Sequence, residues 1–502
     1  KKLEYRINDG EWHTYEALSN EISLSKGDKC YWHNTDTVFS TGDMSGGISL
    51  CCSKGELKVS GDVSSMLDWG DVYPSCYYEM FSTGGVVDAE ELKLPAIELA
   101  EFCYFFMFSD CTDLVKGPAV LPATELKENC YFAMFQSCSS LIKAPELPAT
   151  KLSIACYNCM FVGCESLKKA PELPAEEIAE ACYYTMFMDC SSLESAPELP
   201  ATSLSASCYY GMFANCESLK EAPALPATVL PEHCYYCMFV SCSSLTEAPD
   251  IPATKVGYGS CYSMFVGCSS LKKAPALPAK QLDIFCYQQM FYGCSSLEEA
   301  PELPATGLTA WCYYNIFGGC TSLVKVPELP ATELTDLCYC MMFEDCISLT
   351  EAPQLPAGRM ADMCYYLMFS GCSSLRIAPE LPAMELADSC YNAMFYDCPS
   401  LEVVPELPAT ELSPGCYKYM FVNCTSLTEA PELPSVDLAS ECYWAMFSGC
   451  TSLEKAPALP ATELADNCYY AMFNKCASLE TAPALSATRL VDGCYYAMFN
   501  EC

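Results

Sequence analysis

At 502 residues the chain would ordinarily divide into several domains, and its 51% hydrophobic content excludes disorder, yet no apolar run reaches the roughly 20 residues that a membrane-spanning helix needs. A formal net charge of −38 excludes nucleic-acid binding by counterion release, which requires clustered Lys and Arg, and disfavours insertion into or adsorption on anionic membranes. The same acidity serves either the solubility of a large surface or the recognition of cationic or polyhydroxyl partners. The chain opens on Lys1-Lys2 and a polar segment without an apolar signal core, so an export signal is expected either to have been removed ahead of Lys1 or not to exist.

Residues 1–75 do not repeat. Leu3 to Ile7, then Asn8-Asp9-Gly10, then Glu11 to Tyr15 predict a strand, a tight turn and a strand, because Asp-Gly supplies the positive φ of a hairpin turn. Alternation at Ile22 to Leu24, Lys29 to Trp32, Ile48 to Cys51 and Leu57 to Val59 extends this to a small antiparallel β domain. Placed ahead of a repeat array, it is expected to cap the first rung; the alternative is an anchoring or binding module.

From Cys130 the sequence echoes itself at Cys156, Cys182, Cys208 and Cys234, a period of 26 residues that holds through Cys494, with Ser260 replacing the cysteine once. Two earlier copies begin at Cys76 and Cys103 with a spacing of 27, so residues 76–502 hold 17 copies, the last ending at Cys502 in mid-repeat. That ending raises the expectation that the array runs on into further chain or into a partner, including end-to-end self-assembly. A phenylalanine stands at one position of all 17 copies, among them Phe135, Phe161, Phe187 and Phe213. An aromatic that stays fixed while its neighbours change reads as a core residue stacked on its equivalent in the next rung, and Cys138, Cys164, Cys190, Leu141 and Leu167 read as parts of the same ladder. Leu147 and Leu152 mark further inward positions, and Pro145 and Pro148 force corners between short straight segments. Between the two cysteines of a copy, apolar residues at Cys468, Met472, Phe473 and Cys476 predict two helical turns with one buried face, and Ser478-Leu479 begins a short strand. The expected fold is therefore a repeat solenoid, leucine-rich-repeat-like and α+β, with one short strand and one short helix per coil behind an N-terminal β domain. A lone coil cannot bury enough apolar surface to offset its ordering entropy, so neighbouring coils must hold it.

The repeat resembles the BspA-like (Treponema pallidum-type) leucine-rich repeats, whose unit of about 23 residues falls among leucine-rich repeats generally. Leu141, Ala144, Leu147 and Pro148 take the family's first apolar positions and proline, Leu152 and Cys156 its next two, and Met160, Phe161 and Cys164 its Ala, Phe and Cys. One-residue expansions before Leu147, between Pro148 and Leu152, and between Leu152 and Cys156 bring the unit to 26. The resemblance implies an extracellular, cell-surface or virion-surface protein that adheres to a host or partner molecule, and brings no binding residues with it.

Of 39 cysteines, 32 occupy the two repeating positions and seven do not: Cys30, Cys51, Cys52, Cys159, Cys237, Cys261 and Cys340. The repeating pair is eight residues apart, roughly 12 Å along a helix, too far for a disulfide within one copy. Buried thiols packing in columns are expected; bridges between rungs and metal or redox chemistry are the alternatives. Cys156 with Cys159, and Cys234 with Cys237, have C-x-x-C spacing but lack the second pair that a zinc site needs.

His13, His33 and His233 have no repeating partner, and no phosphate-cradling loop or nucleophile elbow appears, so no catalytic residue, metal or cofactor is expected. Carboxylates at Glu146, Glu172 and Glu198 recur one rung apart, and like charges about 5 Å from one another need solvent, with calcium bridging as the alternative. The serines that recur from Ser140, Ser166 and Ser192 read as a hydroxyl ladder at a turn. Binding is expected where the repeat varies: before the Met, at residues such as Gln289, Asn315 and Tyr419, and at the two places after the Phe, flanked by the pairs Tyr183-Tyr184, Tyr209-Tyr210 and Tyr235-Tyr236. The function that follows is a non-catalytic surface-displayed interaction protein or adhesin taking a protein or glycan ligand; the alternative is a structural filament or phage-fibre component.

Overall fold

The computed structural model describes residues 3–15, 22–34, 57–63, 74–83 and 85–502, which fall in two compact units, Lys1–Leu219 and Lys220–Cys502. In the first unit, β1 (Leu3–Ile7) pairs antiparallel with β2 (His13–Tyr15) on one edge and with β3 (Cys30–Asn34) on the other. The turn after β1 places the left-handed residue at Asn8, with φ 52°, rather than at the glycine of Asp-Gly. Asn tolerates that region, and its side chain is fixed there, the amide donating to Asp28 at 2.8 Å while its oxygen accepts from the Lys29 N–H at 2.9 Å. Ile22 to Leu24 forms no strand, and Ile48 to Cys51 lies outside the described residues. The stretch at Leu57 does not join the antiparallel sheet. β4 (Leu57–Lys58) and β5 (Gly61–Asp62) pair in parallel with β6 (Val86–Asp88) and β7 (Leu92–Lys93), so this stretch lies alongside the first repeat instead.

The expected helix in each coil is not formed; among the described residues there is none. A run of linked turns takes its place. Every fourth residue has positive φ, as at Asn129, Ala133 and Ser137 in the first unit (53°, 48°, 59°) and at Asn467, Ala471 and Lys475 in the second (56°, 48°, 64°). Between them the amides alternate. Tyr470, Met472, Asn474 and Cys476 donate to the carbonyl three residues back in their own coil, whereas Asn467, Tyr469, Ala471, Phe473 and Lys475 donate to carbonyls of the next coil at 2.7–3.1 Å. A helix would satisfy all of these amides internally and leave none to join the coils. The turn run sends every second one outward, so it meets the demand that buried amides be paired and joins the rungs as well. Left-handed residues cost about 1 kcal/mol each for non-glycines, a penalty the inter-coil bonds offset.

The rest of each coil is extended and cornered by proline. It pairs in parallel with its neighbours through single bridges such as Lys116 to Lys143 and Glu125 to Lys151 in the first unit, and Arg359 to Glu385 and Glu385 to Glu411 in the second. At one place the bridges lengthen into three two-residue strands, β8 (Val229–Leu230), β9 (Lys255–Val256) and β10 (Gln281–Leu282). Side chains at or beside these bridges carry exposed inter-coil ion pairs, Lys325 with Glu299 at 2.6 Å and Arg376 with Glu402 at 2.7 Å; at such exposure each contributes about 1 kcal/mol or less.

The core consists of columns. Phe135, Phe161, Phe187 and Phe213 are fully buried and stack at 5.5–5.7 Å with planes 3–5° apart, and in the second unit the file runs from Phe239 to Phe499. Cys138, Cys164, Cys190, Leu141 and Leu167 are likewise fully buried, as is Leu147 to within 2%, while Leu152 is half-buried. The thiol of the second cysteine donates to the Phe carbonyl of the preceding coil: Cys164 to Phe135 at 3.2 Å, Cys190 to Phe161 at 3.1 Å, Cys320 to Phe291 at 3.2 Å. Cysteine thus fills the column as a small hydrophobe that also supplies a donor. Cys138, Cys164, Cys190 and Cys320 are thiols outside any disulfide.

Candidate functional site

The paired tyrosines divide between inside and outside. Tyr183, Tyr209 and Tyr235 are only 1% exposed and belong to a core column, so they cannot present a binding surface. In the turn run the first of each pair follows the buried cysteine inward, and the second turns outward. The second of each pair, Tyr184, Tyr210 and Tyr236, is half-exposed, and within each unit this position forms an outer column of stacked rings. Ring centroids there lie 4.4 Å apart for Tyr184 and Tyr210, 4.6 Å for Tyr236 and Tyr262, and 4.3 Å for Trp444 and Tyr470. Two variable columns adjoin it, the left-handed residue before the Met and the residue after the Phe. Gln289 and Tyr419 are half-exposed members of the first, but Asn315 is 4% exposed, its amide turned toward Glu344 Oε2 at 3.5 Å.

The outer column is broken where the sequence lacks a ring: at Asn158 in the first unit, and at Gln288, Cys340, Asn392 and Lys418 in the second. Two breaks fall on consecutive coils at Asn392 and Lys418, and a cavity of about 460 Å³ opens there, inside the second unit. Tyr366, Asn392 and Lys418 line it from the outer column, Leu367, Ala393 and Tyr419 from the column before the Met, and Glu344, Ser370 and Tyr396 from the column after the Phe. Backbone bonds from Leu367 to Asn392 (3.0 Å), Ala393 to Lys418 (2.8 Å) and Tyr419 to Trp444 (2.8 Å) fix the spacing of its walls.

Its charges are partly spent. The Lys418 ammonium lies 2.7 Å from Glu441 and 4.3 Å from the centre of the Trp444 ring, an ion pair and a cation–π contact that hold it against the wall. Burial, then the neighbouring Asp345 carboxylate, push the Glu344 carboxyl above its ordinary range. Burial likewise raises Tyr366. Among the described residues no hydrogen bond reaches the Asn392 side-chain amide. Sequence reasoning singled out Tyr419 and the variable columns, to which Glu344 belongs, but missed Asn392 and Lys418; the signal available was the interruption of the tyrosine pair by those two residues.

Other candidates stay apart. His13 lies in β2 beside Tyr5, His233 lies edge-on to Tyr236 and Tyr258, and His33 lies in β3. Cys156 is fully buried and pushed up to about 12 by desolvation, while the Cys159 thiol lies 2.9 Å from Asn158 Oδ1 and 3.2 Å from Thr185 Oγ1. Glu146, Glu172 and Glu198 are exposed. Among the described residues no three His, Cys, Asp or Glu side chains gather as metal ligands, and no helix is long and apolar enough to cross a membrane.

The fold and its outer face define a cysteine-rich repeat protein of stacked turn-run coils. Comparison with models of known families, with curated proteins and with solved structures finds no match to this chain.

Proposed function

We propose that this is a non-catalytic interaction protein, displayed outside a cell or on a particle, that binds a protein or glycan ligand along the outer aromatic column and the two variable columns beside it. One observation supports the reading above others. The core columns hold nearly one residue type from coil to coil, whereas the ring column and the two beside it change identity, the ring column and the column after the Phe are mostly half-exposed, and in the second unit they open into a cavity lined by Tyr366, Tyr396 and Tyr419. Stacked, half-exposed tyrosines offer large contact area at little entropic cost. The resemblance to BspA-like surface repeats points the same way.

The test is binding of the full chain to arrays of soluble glycans and of secreted proteins, repeated with Tyr184→Ala plus Tyr210→Ala. A ligand whose affinity drops roughly tenfold or more in that variant is the expected result, since exposed rings of this kind dominate interface energies. An array with nothing above background, or a ligand indifferent to the loss of both rings, counts against the proposal.

A further inference from the structure

The cavity at Asn392 lies where the outer column skips a ring. The core files in these same coils hold their spacing, with Phe369, Phe395 and Phe421 stacked at 5.6 Å per step. Tyr366 and Lys418 therefore stand two coil steps apart with the short Asn392-Ala393 pair between them, and because Lys418 is held against Trp444 the space at Asn392 stays open. Leu367 and Ala393 give the slot an apolar lining, and Tyr366, Tyr396 and Tyr419 an aromatic one. Glu344, Ser370 and Asn392 add a carboxyl, a hydroxyl and an amide to that lining. A lining that mixes apolar and aromatic side chains with a carboxyl, a hydroxyl and an amide fits a ring that is apolar on its faces and polar at its edge. An anionic guest is disfavoured, because Lys418 is already paired with Glu441 at 2.7 Å and the chain carries a net charge of −38.

We infer that the Asn392 gap is a subsite for one pyranose ring of a neutral or amino-substituted oligosaccharide, the ring lying on Tyr366 where a tyrosine of the column would otherwise stack. Asn392 and Ser370 hydrogen-bond its hydroxyls, and Glu344 accepts from a hydroxyl or an ammonium at its edge. The guest replaces the missing member of the column, which is why the slot sits in line with the rings rather than beside them. This inference rests on the outer face being a binding face and narrows its ligand to a glycan.

The experiment is calorimetric titration of the full chain with cellohexaose, mannohexaose and a chitosan hexamer. Binding of at least one probe is expected, weakened about tenfold or more by Asn392→Tyr, which supplies the residue most coils carry and plugs the slot without endangering the fold. Tyr366→Ala should weaken it comparably. Asn158→Tyr, which fills a break of the same column in the first unit, should leave it unchanged. Glu344→Gln should weaken the chitosan hexamer more than the neutral probes if the ring carries an ammonium, and both classes alike if it carries only hydroxyls. Binding unaffected by Asn392→Tyr overturns the subsite while leaving the outer face intact as a binding surface, and silence of all three probes at about 10 mM overturns it too. Loss of every array ligand's sensitivity to Tyr184→Ala plus Tyr210→Ala removes the broader reading instead.

Discussion

The hydroxyl groups of Tyr104, Tyr131, Tyr157 and Tyr287 are buried without a hydrogen-bond partner, although their rings stack well, Tyr131 to Tyr157 at 5.8 Å and Tyr157 to Tyr183 at 5.9 Å. An unpaired buried hydroxyl costs more than its absence. Tyr157→Phe should therefore stabilise the chain by about 1 kcal/mol, read as a higher urea midpoint; a clear loss of stability would mean that this hydroxyl has a partner. The sequence makes the inward phenylalanines, cysteines and leucines legible because these positions do not vary and carry no competing polar group. It does not distinguish Tyr183 from Tyr184, since a tyrosine fits a core and a surface equally well, and only the turn geometry assigns them to opposite sides. Asn315 misleads for the opposite reason, a polar side chain that the coil folds inward.

At the scale of the element, the helix expectation arose from apolar residues at Cys468, Met472 and Cys476, a spacing of four that a helix and a run of four-residue turns share. The distinguishing signal lies just before the second cysteine, where Gly163, Asp189, Asn215, Gly267, Gly293 and Gly319 stand, interrupted once by Ser241. Glycine, asparagine and aspartate are the residues that enter the left-handed region most easily, and all six have positive φ. Gly293 allows conformation to be separated from space, because a Cβ there would come no closer than 3.8 Å to Gly267. Gly293→Val should cost about 1–2 kcal/mol and Gly293→Asn about 0.5 or less, measured by equilibrium unfolding of the two variants. Equal losses would overturn the conformational account.

Across the whole molecule the thiols act together. Burial pushes Cys156, Cys208, Cys268, Cys320 and Cys338 each up to about 12, whereas a thiol in an unfolded chain ionises near 8.5. The folded protein thus keeps protons that the unfolded one loses. Their stabilising contribution is fully present below about pH 8.5, and it is lost as pH rises through about 12 at roughly 1.4 kcal/mol per pH unit for each thiol. With many such groups, the urea midpoint under reducing conditions should hold steady up to about pH 8 and drop steeply above about pH 9; a midpoint flat to about pH 11 would contradict burial of neutral thiols. The inter-coil bonds carry a different collective property. In the second unit, Leu367 bonds to Asn392, Ala393 to Lys418, Tyr419 to Trp444, Ala445 to Tyr470 and Ala471 to Tyr496, and each accepting carbonyl belongs to the very peptide whose amide donates onward. Five such files run abreast, through Asn467, Tyr469, Ala471, Phe473 and Lys475 in one coil. Each peptide has a dipole of about 3.5 D, and here all of them point their N–H ends toward higher residue numbers, so their moments add where those of an antiparallel sheet cancel. The unit is electrically polarised along its stack, as a helix is along its axis, without containing a helix.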